Sequence, residues 1–223
     1  MDRAWLEDRR GQSAWAALFG VLLTGEARTT LELVRAAGLT VVQVHTRLEQ
    51  LKLRGIARVE VRAQRPYWRI ASPTAARALQ ALGLEPRADA IALRWRRRCN
   101  QPLKRARRCY GHLAGELGVA QMKALRACDW VRLEGAHAVL TPAARTWAAA
   151  HGISVASEAR GARRCLDWSE RRDHLGGAFA RALLDYELAQ GWLRAAAVPR
   201  ALELTALGEH VFLPWLNGAH VPL

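Results

Sequence analysis

Four residues in the C-terminal half have the types and spacing to do chemistry: Cys109 and His112 in CYGH, and Cys165 and His174 in CLDWSERRDH. Two thiols and two imidazoles are the ligand types of a Cys2His2 zinc site, which makes a metal ion such as zinc the candidate cofactor. Cys109 and His112 are three positions apart and share a face if that stretch is helical. If the two segments pack face to face, all four side chains converge. Thiol chemistry is a second reading. Arg107, Arg108, Arg163 and Arg164 stand beside the cysteines, and positive charge favours thiolate, so a reactive thiol or a Cys109–Cys165 disulfide would sense oxidants. In a third, inert reading, both cysteines are small buried hydrophobes and both histidines cap helix starts. Trp130, Trp168 and Trp192 offer apolar walls for a small organic effector between the segments.

The same region does not read as an enzyme. Asp167, Glu170 and Asp173 are close in sequence, but they interleave with Arg171 and Arg172 and read as a paired surface network. Asp167, Trp168 and Glu170 are expected to position the chain, with Trp168 packed in the core. A nucleic-acid-acting enzyme and a non-catalytic basic scaffold are the alternatives to a regulator.

Each Cys–His pair stands at the front of an internal repeat. At a constant offset of 62 positions His112 matches His174, Leu113 matches Leu175, Gly115 matches Gly177, Trp130 matches Trp192 and Arg132 matches Arg194. Each copy reads as helix, helix, strand, turn, strand, then a helix capped by Thr141 or Thr205. That is winged-helix order, but the Ala- and Leu-rich helices suit burial or dimer contact better than DNA reading.

The N-terminal third carries its own pattern. Ser13 caps a buried helix over 13–24. Thr29 or Thr30 caps TLELVRAAG, which Gly38 ends, and Thr40 caps VVQVHTRLEQLKLRG, with Val41, Val44, Leu48 and Leu51 at helical spacing. Two short helices joined through AAGLT make a helix-turn-helix. The alternating IARVEVRAQRPYWRI then predicts a hairpin, turning at Ala63–Pro66, and TAARALQAL a further helix. On the second helix of the pair Thr40, Gln43, His45, Thr46, Arg47 and Lys52 face DNA, Gln suiting adenine and Arg guanine. Arg58, Arg62, Arg65, Arg69 and Tyr67 of the hairpin are placed to meet phosphates or a minor groove.

Charge follows the same division. The chain carries 34 Lys and Arg against 20 Asp and Glu, and residues 76–108 alone hold 10 basic and 2 acidic side chains. Residues 109–223 are almost neutral, with 12 basic and 11 acidic. A localised basic excess releases counterions from nucleic acid, so double-stranded DNA is the expected partner. No apolar run approaches the ~20 residues that span a bilayer, and the polar MDRAWLEDRR start is unlike a secretory signal. A cytoplasmic location without a membrane partner is therefore expected. Cys99, Cys109, Cys128 and Cys165 form no CxxC pair and do not suggest a disulfide framework.

LELVRAAGLTVVQVHTRLEQLKLRG with its hairpin resembles the ArsR/SmtB group of bacterial repressors, and CYGHLAGELG, VLTPAARTW and CLDWSERRDHLGGAFARALLDYELAQGWLRA resemble an extended branch of ArsR-like regulators. The resemblance implies a homodimeric repressor released by a signal. The thiolate pair of the short members is absent, since LELVRAAG stands in its place, so their arsenite or cadmium site is excluded. The Ser-Thr and Ser-x-His steps of the usual recognition helix are replaced by Val42-Gln43 and His45-Thr46-Arg47, so sequence preference does not carry over.

The expected fold is mainly α with small β-hairpins (α+β): a winged helix over 1–82, a basic linker over 83–108, and a sensor and dimerisation body over 109–223 with copies at 109–153 and 165–216.

Overall fold

The computed structural model describes residues 3–10, 12–62, 64–87, 101–134, 137–153 and 161–217. The chain divides into two compact units, Met1–Arg98 and Cys99–Leu223. Both mix helix and strand. The basic run 88–100, Cys99 included, lies outside the described residues.

In the first unit the order is α1 (Arg3–Arg10), α2 (Ser13–Leu22), β1 (Arg28–Thr29), α3 (Thr30–Ala37), α4 (Val41–Leu53), β2 (Ala57–Arg62), β3 (Arg65–Ile70) and α5 (Pro73–Ala81). Local chemistry explains the helix starts. Thr29 with Glu32, and Thr40 with Gln43, form complete capping boxes, each satisfying two otherwise orphaned backbone donors. Ser72 caps α5 with Pro73 at its first position. Ser13 is not a cap: Gln12 holds the cap position of α2, and its side chain makes no capping bond to the helix. Helix α1 gives little sign of itself in the sequence, because Trp5 and Leu6 are hidden among charged neighbours. Leu6 is buried, and Trp5 meets Trp15 edge-on at 5.1 Å between centroids.

Strand order is β1-β3-β2, all antiparallel. Pro66 belongs to β3, opposite Val61, rather than to the turn. It is tolerated in a central strand because β1 pairs only with Tyr67 and Trp68, so no neighbour needs its missing N–H. Phe19, Val44, Leu48, Leu51, Ile56 and Trp68 fill the core between helices and sheet, each worth about 1.5–3 kcal/mol of apolar burial.

The second unit runs α6 (Gln101–Arg105), β4 (Arg107–Cys109), β5 (His112–Ala114), α7 (Glu116–Ala127), β6 (Val131–Glu134), β7 (His137–Leu140), α8 (Pro142–Ala150), β8 (Arg163–Leu166), β9 (Asp173–Gly176), α9 (Ala178–Ala189), β10 (Leu193–Ala195), β11 (Leu202–Leu204) and α10 (Ala206–Leu216). Residues 101–108 are therefore not linker but the start of this unit. The order from β4 to α8 and from β8 to α10 is hairpin, helix, hairpin, helix, not the expected pair of helices before each hairpin. Tyr110 and Gly111 cause the first difference. Both have positive φ (50° and 89°), the requirement of a two-residue hairpin turn, so CYGH reverses direction instead of winding into a helix.

The hairpins pair crosswise. β6-β7-β8-β9 form one sheet, in which His137 meets Arg163. The β10-β11 hairpin reaches β4 through a bridge between Arg107 and Ala201, flanked by Arg108 N–H to Arg200 O at 2.8 Å and Leu202 N–H to Ala106 O at 3.0 Å. Each Cys-bearing hairpin is thus extended by the hairpin of the other half. One apolar core, including Leu125, Phe179, Leu184 and Phe212, lies beneath.

Among the described residues, that core contains one buried carboxyl outside the Cys–His region. Glu187 on α9 is completely buried and accepts a hydrogen bond from the Gln121 side-chain amide on α7. Its Oε2 has no hydrogen-bond partner among the described residues. Burial raises its pKa well above the ordinary value, against a smaller opposing effect of Gln121. The folded state therefore holds a proton that the unfolded chain releases near pH ~4.3. This makes stability fall as pH rises above that point, until the native group itself ionises. Glu187→Gln should remove this slope and raise the thermal midpoint at pH 7, checked by melting parent and variant between pH 4 and 8. A midpoint lower than the parent's across that range would contradict it.

Candidate DNA interface and buried cysteine–histidine centre

Helix α4 and the β2–β3 hairpin form a winged helix-turn-helix with α3. His45 and Thr46 are exposed on α4, as expected. Thr40 and Gln43 are exposed but engaged: Thr40 Oγ1 accepts from Gln43 N–H at 3.2 Å, and Gln43 Oε1 accepts from Thr40 N–H at 3.0 Å. Gln43 thus has one carbonyl lone pair committed to the cap and keeps its amide N–H groups for a base. Arg47 turns back, donating to Gln43 O at 3.0 Å with its guanidinium 5.3 Å from the Trp15 ring centre. Lys52 is exposed and paired with Glu49 at 3.3 Å.

Val42, an aliphatic residue that carries no polar signal for base contact, is 74% exposed beside His45 and Thr46. Val41, expected in the core, is also exposed, since the first helical turn projects past the packed face. Aliphatic groups of this kind suit thymine methyls in a major groove.

On the hairpin Arg65 is exposed near the tip and Arg58 is half-buried, while Arg62 is held by Glu60. Two expectations are corrected. Tyr67 is buried at 8% exposure although it stands beside Arg69 on the face opposite the core residue Trp68, because β3 is the central strand. Arg69 is also buried and donates to Glu60 Oε2 at 2.9 Å, so it stabilises the hairpin instead of facing phosphate.

In the second unit Cys109, His112, Cys165 and His174 come together. One ligand atom from each lies within 4.8 Å of all the others, and all but Cys109 are buried. The two cysteines face the two histidines across strands: Cys109 pairs with His112 around the Tyr110-Gly111 turn, and Cys165 pairs with His174. Neither pair is on a helix. The imidazole Nε2 atoms approach to 3.1 Å, and the rings stack at 5.0 Å between centroids.

A carboxylate stands behind the four. Asp167 is wholly buried, with Oδ2 3.6 Å from His174 Nδ1 and accepting from Gly115 N–H at 2.7 Å. Its Oδ1 accepts from Arg107 Nη2 at 2.7 Å, Ser169 N–H at 2.8 Å, Ser169 Oγ at 2.8 Å and Glu170 N–H at 3.0 Å. The expected surface network is thus, at Asp167, an interior ion pair. Burial alone would raise this carboxyl. The Arg107 charge, with the Arg107 and Gly115 hydrogen bonds, outweighs burial and holds its pKa down at about 2.

The thiols are unlike each other. A hydrogen bond from Cys165, helped by Arg107 and Arg200 and opposed by burial, lowers the Cys109 thiol to about 7. The same bond, together with burial, pushes Cys165 up. Cys128 is exposed and free.

The tryptophans do not form one set of walls. Trp130 and Trp192 are core residues linked through Trp147 and Tyr186, with ring centroids 4.7–5.9 Å apart along the chain of contacts. Trp168, expected in the core, is 40% exposed and lies 4.4 Å from the Arg107 guanidinium.

No family model matches the chain. Two solved structures align with a little over a third of it. One is the AntR antimony-specific transcriptional repressor, 22% identical over 35% of this chain and 70% of its own, with a TM-score of 0.31. The other is a predicted DNA-binding transcriptional regulator from E. coli, 19% identical over 36% and 84%, with a TM-score of 0.32. Among the described residues no helix is long and apolar enough to cross a membrane. A similarity over most of the chain is to the uncharacterized HTH-type transcriptional regulator YdfF of Bacillus subtilis, 29% identical over 201 residues and covering 88% of each chain. Both units, the winged helix and the one that holds the Cys–His centre, fall within the reach of that similarity to a helix-turn-helix regulator.

Proposed function

We propose that this protein is an ArsR-like DNA-binding transcriptional repressor, acting as a homodimer on a pseudo-palindromic operator. Helix α4 enters the major groove and presents Val42, His45 and Thr46, while Arg58 and Arg65 of the hairpin meet phosphates. The second unit consists of two related hairpin–helix–hairpin–helix copies and receives the signal that controls DNA binding, through its Cys–His centre. The observation that carries the DNA-reading part is the exposed face of α4, rigidly started by the Thr40 capping box and followed directly by a basic hairpin. The 88% coverage of a relative named as a regulator supports extending that reading to the whole chain.

Gel-shift titration against the protein's own upstream region tests it. Binding should exceed that of random DNA at physiological salt and weaken steeply as salt rises. Val42→Asp, which places a charge on an exposed face without touching the core, should weaken operator binding at least about tenfold, roughly one mismatched contact in energy, and leave the melting temperature unchanged. Equal affinity for operator and random DNA would sink the proposal.

A further inference from the structure

We propose that Cys109, His112, Cys165 and His174 bind one divalent, thiophilic metal ion of the zinc type, and that Asp167 is the positioning residue that orients His174 toward it. The inference names the ligand class for the centre through which the second unit is read as sensing, but metal binding itself does not depend on DNA binding.

The geometry fits a small tetrahedron. With metal–nitrogen bonds of about 2.0–2.1 Å and metal–sulfur bonds of about 2.3 Å, its edges run roughly 3.3–3.8 Å. The four ligand atoms already lie within 4.8 Å of one another, and the two Nε2 atoms stand 3.1 Å apart. Small shifts of the side chains, without a change of fold, would bring all four to bonding distance.

The histidines argue for an ion more strongly than the cysteines do. Both imidazoles are completely buried, and neither Nδ1 has a hydrogen-bond partner among the described residues. Without a metal, two Nε2 atoms at 3.1 Å require one ring to donate and the other to accept. A metal takes both lone pairs at once and leaves each Nδ1 as N–H. For His174 that N–H points to Asp167 Oδ2 at 3.6 Å, the carboxylate–histidine–metal arrangement that fixes tautomer and ring angle.

Charge closes the argument. Two thiolates and a dication sum to zero, and Asp167 is neutralised by Arg107 at 2.7 Å, so the buried assembly carries no net charge. A disulfide between Cys109 and Cys165 would leave both buried histidines and the Asp167–His174 contact without a role. Four protein ligands fill the coordination shell, which suits a structural or sensing ion and leaves no open position for catalysis. The mixed sulfur and nitrogen set selects zinc-like ions over magnesium or calcium.

The test uses the full chain, stripped of metal by chelator under reductant, then titrated with Co(II) and with Zn(II). One equivalent of Co(II) should bind, giving the intense visible bands of tetrahedral cobalt and thiolate charge transfer in the near ultraviolet, and Zn(II) should displace it. Cys109→Ser should reduce the charge-transfer band. Asp167→Asn should raise the Kd for metal about 10–100-fold while keeping the tetrahedral spectrum, and Asp167→Glu should recover part of the loss. Absent or octahedral cobalt spectra in the parent protein would overturn the site. An Asp167→Asn variant with a lower melting point but parental affinity would overturn the positioning role. Operator binding, measured separately on stripped and loaded protein, then reports on regulation, so its failure would leave the metal result standing.

Discussion

Arg107→Met should destabilise the second unit by about 3–5 kcal/mol, the loss expected when one partner of a buried ion pair is removed. Arg107 is 1% exposed, and its guanidinium does three things at once. Nη2 meets Asp167 Oδ1 at 2.7 Å, and Nη1 donates both to Leu103 O at 2.8 Å and to Ser169 Oγ at 3.0 Å. Methionine fills similar volume but leaves the Asp167 charge in the interior with only neutral donors around it. Arg107→Lys keeps the charge without the planar fork that spans three acceptors, so it should recover only part of the loss. Guanidinium unfolding followed by hydrogen exchange in α7 and α9 would measure this. A change under 1 kcal/mol in Arg107→Met would show that the pair is more exposed to water than its geometry indicates. Exchange in α4, in the first unit, should be unaffected.

Gly115→Ala should be nearly as damaging, at least about 3 kcal/mol. Gly115 sits at φ 84°, ψ −163°, a conformation essentially reserved for glycine, at the junction of β5 and α7. A Cβ there would lie 2.5 Å from Lys104 O and 3.1 Å from Arg105 O, both backbone atoms that cannot swing aside. Relief requires moving the backbone whose N–H holds Asp167, so the harm spreads to the Cys–His centre. Gly152→Ala separates strain from collision. It too has positive φ (66°), but a Cβ there meets nothing within 4 Å, so it should cost only about 1–2 kcal/mol. Equal melting temperatures for the two variants would refute the steric argument.

Signals confined to a few neighbouring residues were legible in the sequence. Thr29 or Thr30, and Thr40, announce two helix starts by residue type alone, and the alternation of Ala57–Arg62 announces the hairpin. The convergence of Cys109, His112, Cys165 and His174 was also readable, through the parallel placing of Cys and His ahead of two similar segments. Their secondary structure was not. Spacing of three permits a shared helical face, but only the positive φ of Tyr110 makes the chain reverse, and tyrosine gives little warning of that. Asp167 reads as a surface residue because its neighbours in sequence are charged and polar, yet it is wholly buried. Its true partner, Arg107, is 60 positions away. Tyr67 and Arg69 failed for a similar reason: alternation marks a strand, but not that the strand is central and carries β1 on its far side.

The crosswise pairing of hairpins has a consequence for synthesis. The first unit is built from contacts among its own near neighbours and is complete early in the chain, so it can fold while translation continues. The second cannot be finished in halves. Strand β4 is among its first elements to emerge from the ribosome, yet the bridge from Arg107 to Ala201 waits for one of the last. Until then one edge of the Cys-bearing hairpin lies open, and Asp167 has not yet reached Arg107. A chain cut short after α8 would therefore carry a formed DNA-reading unit and an exposed strand edge. Such an edge is a template for intermolecular pairing. Truncated products are expected to aggregate through β4, not to survive as a shorter regulator.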